Sequence, residues 1–72
     1  MTQADLRLKK IGQNLKKFIS ESKYKTQVNF ALNGVGHDPS VVRRWIRNGV
    51  NSLTTLMYIA DVLEIDFIEL LK

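Results

Sequence analysis

At 72 residues, with 44% hydrophobic and 25% charged side chains and no cysteine, the sequence has the make-up of a single soluble domain near the lower size limit for folding alone. That make-up excludes a disulfide framework and a thiolate metal site, and no apolar run approaches the roughly 20 residues that span a bilayer. The net charge of +4 divides into a balance of +7 over residues 1–50 and −3 over residues 51–72, a basic front and an acidic rear that orient the molecule toward a polyanion.

Periodicity along the chain gives helices and no convincing strand. One domain is expected over residues 1–72, with residues 1–4 a flexible lead, and the opening MTQADLRLKK lacks the apolar core of a signal peptide, so a cytoplasmic location is expected. From Asp5 to Ser22, Leu8, Ile11, Leu15, Phe18 and Ile19 fall at spacings of three and four, with Lys9, Lys10, Lys16 and Lys17 mostly off that stripe: a long amphipathic first helix. Thr26 suits the N-cap of a short second helix whose inward side chains are Val28, Ala31 and Leu32. Asn33 to Gly36, with two glycines, reads as a turn.

The third helix has its limits written into it. Asp38 caps the free N–H groups, Pro39 suits the first helical position because it has no N–H to satisfy, and Gly49 tolerates the left-handed conformation that ends a helix. Val42, Trp45 and Ile46 share one face; Ser40, Arg44 and Arg47 point the other way, with Val41 and Arg43 on the flanks. Trp45, on the apolar face, is expected as a core anchor rather than a stacking platform.

Ser52 caps a fourth helix with an inner stripe of Leu53, Leu56, Ile59, Ala60 and Leu63. In the last segment Asp66 and Glu69 have the spacing of a capping box, with Ile65 and Leu70 placed to form a hydrophobic staple. Five short helices joined by tight turns make an all-α domain.

Taken together, IGQNLKKFI, TQVNFA, a glycine turn, VVRRW and SLTTLMYIADVLEIDFIELL resemble the Cro/CI type (XRE-like) of helix-turn-helix domain found in small phage repressors and restriction-modification controller proteins. The resemblance covers about residues 11–71. It implies a compact five-helix, lambda-repressor-like domain with a central helix-turn-helix, whose third helix enters the major groove of double-stranded DNA. Departures are local. The turn between Ala31 and Asp38 is long, with Gly34 or Gly36 as its turn glycine, and the connection VNS before the fourth helix lacks the usual proline.

The residues agree with that implication on chemical grounds. A groove-reading helix needs polar donors opposite its core stripe, and the planar guanidinium of arginine bonds two acceptors of guanine or clamps a phosphate. Ser40, Arg44 and Arg43 are therefore expected at base edges with Val41 beside them, and Arg47 at phosphate. Thr26, Gln27, Asn48 and Asn51, at helix starts and in the following loop, are expected to grip the backbone, and the lone His37, with no second metal ligand, is expected to be solvated or near phosphate. No nucleophile, base and orienting acid are grouped, so neither enzymatic activity nor a metal, cofactor or small-molecule ligand is expected.

The expected function is a sequence-specific transcriptional regulator, a repressor acting on a two-fold operator. A homodimer is expected through the acidic rear, because a single reading helix covers few base pairs; Tyr58, Val62, Phe67, Ile68 and Leu71 exceed what one core-facing stripe hides. The competing class is a protein-interaction module on the same scaffold, an anti-repressor or adaptor, which calls for an apolar patch on the third helix; only Val41 qualifies there.

Overall fold

In the computed structural model, which describes residues 2–72, the first helix, α1 (Gln3–Glu21), is fixed at its start by a complete capping box. The Thr2 hydroxyl accepts the Asp5 N–H and the Asp5 carboxylate accepts the Thr2 N–H, both at 3.2 Å. The helix thus begins two residues before the expected Asp5, inside the segment expected to be a flexible lead. Ile11, Leu15 and Ile19 are buried as their spacing requires, and Leu8 and Phe18 are half-buried beside them.

The second helix differs from its expectation. Thr26 does cap it, accepting the Asn29 N–H at 3.1 Å, but α2 is α-helical only over Gln27–Asn29 and continues as a wider π-helix over Phe30–Val35. Asn33, Gly34 and Val35, expected in a turn, belong to this helix. It ends at Gly36, whose φ of +73° identifies it as the turn glycine. Gly34 serves close packing instead: a side chain there would crowd Tyr24, Phe30 and Val62. The inward set is Phe30, Ala31 and Val35, whereas Val28 and Leu32 stand 49% and 58% exposed. Phe30 offers the core more apolar area than either and packs edge-on against Tyr24 at 5.5 Å, and the wider turn carries Val35 inward with it.

The third helix, α3 (Pro39–Asn48), has the expected N-cap, Asp38 accepting the Ser40 N–H at 2.9 Å, and ends at Gly49 on a positive φ of +84°, though its extended ψ of 175° is not the left-handed helical conformation expected there. Ser52 begins α4 (Leu53–Leu63), which buries Leu56, Ile59, Ala60 and Leu63. Leu53, expected on the inner stripe, is 59% exposed because it lies at the rim, a turn before α4 reaches the core. In α5 (Ile68–Leu71) Asp66 accepts the Ile68 N–H at 3.0 Å, but the expected capping box is not made, since Glu69 turns to Lys72.

The core fills from Leu15, Ile19, Phe30, Val42, Ile59 and Leu70, which are fully buried. Asn14 adds a polar tie, its side-chain amide donating to the Leu70 carbonyl at 3.0 Å across α1 and α5. Among the described residues there is no strand, and no helix is long and apolar enough to cross a membrane.

Candidate nucleic-acid interface

Helix α3 is held on one face and open on the other. Val42 is fully buried, and Trp45 and Ile46 pack half-buried against the core. Two glycines set how close α3 comes to α1. A Cβ on Gly12 would overlap the Ile46 carbonyl, and one on Gly49 would overlap the backbone of Leu8. The backbones therefore meet without intervening side chains, which fixes the pose of α3 on α1. Sequence reasoning missed Gly12; the signal was a glycine within the apolar stripe of an otherwise regular helix, a position that costs helix stability unless something must approach.

The open face carries Ser40, Arg43, Arg44 and Arg47, all exposed, with Val41 half-buried at its edge. His37 is exposed and lies edge-on to Trp45, with ring centroids 5.7 Å apart. The Asp38 carboxyl is held below the usual carboxylate range by the Ser40 backbone N–H, then by the Ser40 hydroxyl, with the Arg43 guanidinium adding to the effect.

At the start of α2 a shallow cleft brings together Thr26, Gln27 and Arg43 with Lys16 and Ser20 of α1 and Lys25 of the α1–α2 loop. Three cations, from α1, the α1–α2 loop and α3, thus line one opening, flanked by hydroxyl and amide donors. Ile19 and Val28 complete the lining, and the cations and donors around it suit anionic oxygens, with Arg43 the cleft's link to α3. Lys16 and Lys25 were not among the expected site residues. No local pattern set them apart from the other lysines, because only the fold brings the middle of α1 to the start of α2.

The other expected contacts lie apart from this cleft. Arg47 and Asn48 line a second cleft with Asp5, Leu8 and Lys9, at the far end of α3. Asn51 sits in a third groove, between α1 and the start of α4. Of the residues expected at a dimer face, Tyr58 and Ile68 are exposed and Val62, Phe67 and Leu71 half-buried. The Tyr58 hydroxyl donates to the Val35 carbonyl at 3.0 Å, Val62 packs on the core beside Gly34, and Phe67 and Leu71 pack half-buried, leaving Ile68 and the outer face of Tyr58 open. Among the described residues no group of three or more His, Cys, Asp or Glu side chains is placed to hold a metal ion.

A short capped helix, α2, a left-handed glycine and a second capped helix, α3, with one exposed cationic face, all within a five-helix frame, define a helix-turn-helix fold. The fold is similar to that of the solution structure of the SOS-response transcriptional repressor LexA from Eubacterium rectale, with a TM-score of 0.77 and 22% sequence identity, over 94% of this chain and 71% of that one. No protein-family model and no curated protein matches the sequence.

Proposed function

We propose that this chain is a DNA-binding transcriptional regulator, a repressor that binds double-stranded DNA as a homodimer on a two-fold operator, with α3 in the major groove. The observation that carries the reading is the exposed face of α3, where Ser40, Arg43, Arg44 and Arg47 stand clear of the core while Val42 and Trp45 anchor the opposite side. Its fold likeness to a protein described as a transcriptional repressor agrees with it. In this reading Ser40 and Arg44, with Arg43 and Val41, meet base edges. The cleft of Lys16, Lys25, Thr26 and Gln27 grips phosphates on one side of the groove, and His37, Arg47, Asn48 and Asn51 contact the backbone elsewhere.

The test is binding of wild type and Arg44→Ala to a selected site and to random duplex. A base contact predicts a loss of about 1 to 3 kcal/mol on the selected site alone, with relaxed preference at one base pair. Equal losses on both would make Arg44 a phosphate contact and move base reading elsewhere on α3.

A further inference from the structure

Beside α3, an apolar groove runs between the first turns of α1 and the start of α4, lined by Ala4, Leu8, Ile11, Val50 and Leu56 and bordered by Leu53 and Arg7. Its α4 wall continues outward as a stripe at intervals of four: Leu53, 59% exposed, Met57, 46% exposed, and Asp61, also exposed. The edge thus has a basic end at Arg7, an apolar middle and an acidic end at Asp61. Among the described residues the one ion pair is Lys72 with Glu69, so neither Arg7 nor Asp61 has an ionic partner among them.

We propose that this edge is where a second copy of the chain docks, through a two-fold axis near Leu53 and Met57. The choice of occupant follows from charge order. An isologous contact places residue i against j and j against i, and an edge that is basic at one end and acidic at the other matches itself when turned through 180°. Leu53 and Met57 of each copy then fill the apolar groove of the other, and Arg7 of each lies beside Asp61 of its mate. The groove also contains Val50 and Asn51, which join α3 to α4, so pairing here sets the two reading helices directly relative to each other. The inference rests on the dimeric reading above and is an alternative to the Tyr58 and Val62 face, where the Tyr58 hydroxyl bonds the Val35 carbonyl and Val62 packs beside Gly34 while the Tyr58 ring stays 45% exposed.

The experiment is sedimentation equilibrium of the whole chain, with circular dichroism to verify folding. Wild type is expected to dimerise at tens of micromolar, and Leu53→Glu to weaken this by at least about tenfold. Arg7→Glu and Asp61→Arg each weaken it several-fold, and the double charge swap restores it. A wild type that stays monomeric with and without duplex DNA overturns the proposal. So does a double swap no stronger than the single variants, or dimerisation that survives Leu53→Glu but is lost in Tyr58→Glu, Ile68→Glu. Fluorescence anisotropy on random duplex at low salt separates the two readings: dimers that bind no DNA sink the regulator and leave this surface standing, whereas DNA-bound monomers do the reverse.

Discussion

Gly12 of α1 lies so close beneath the Ile46 carbonyl of α3 that no side chain fits between them. The contact is backbone to backbone, so no rotamer change relieves an added methyl. Alanine in a helix interior ordinarily stabilises by about 1 kcal/mol relative to glycine. Here Gly12→Ala is expected to reverse that sign and destabilise by about 1 to 3 kcal/mol, because α1 and α3 must separate. Urea unfolding measures it, and a neutral or stabilising result would show that the crossing is looser than described. Because α3 carries the arginines, the variant also tests whether their placement depends on that crossing.

The hydroxyl of Tyr58 supplies a second internal check. It donates to the Val35 carbonyl near the end of α2, where the helix leaves carbonyl groups without helical partners. Tyr58→Phe is expected to lose about 0.5 to 1.5 kcal/mol and to increase amide exchange around Val35 and Gly36. Unchanged exchange would mean that water satisfies that carbonyl equally well.

How much of this was legible in the sequence varied with how local the determining physics was. Caps and stops were readable at Thr26, Asp38, Pro39, Gly49 and Ser52, because a cap involves only neighbours two to four residues away. The core stripes of α1 and α4 followed from periodicity, except Leu53 at the rim. The face of α2 was not readable: the π-helical stretch changes its period, and the cause, packing of Phe30 and Gly34 against Tyr24 and Val62, is tertiary. For the site, the α3 arginines were visible as a face opposite Trp45. Lys16 and Lys25 were not, because only the fold brings the middle of α1 to the start of α2.

The Asp38 cap predicts a pH effect whose sign follows from its lowered pKa. A carboxyl whose folded pKa lies below its ordinary value of 3.8 adds stability above that value and loses it as pH falls through the lower, folded one. Wild type is therefore expected to lose an advantage over Asp38→Asn as pH drops below about 4, since the asparagine cap does not titrate. Thermal melts of both proteins from neutral to acid pH show this as a shrinking gap. A gap that stays constant would remove the charge from the cap's contribution.

The basic cleft predicts how binding responds to salt. Each neutralised phosphate contributes roughly −0.9 to the log-log slope of affinity against salt concentration. Lys16→Ala and Lys25→Ala are each expected to weaken binding to selected and random duplex alike and to make the slope shallower by about 1. An unchanged slope would place these lysines away from the DNA backbone.

The central claim, that α3 of a two-fold pair reads a DNA sequence, is met most directly by selecting bound duplexes from a random pool with the whole chain. The account predicts one enriched motif with inverted symmetry, its half-sites centred about 10 to 10.5 base pairs apart on one face of the duplex, and its loss when Arg44 is replaced by alanine. A pool that emerges with no enriched sequence, at salt low enough for the chain to bind, would contradict it.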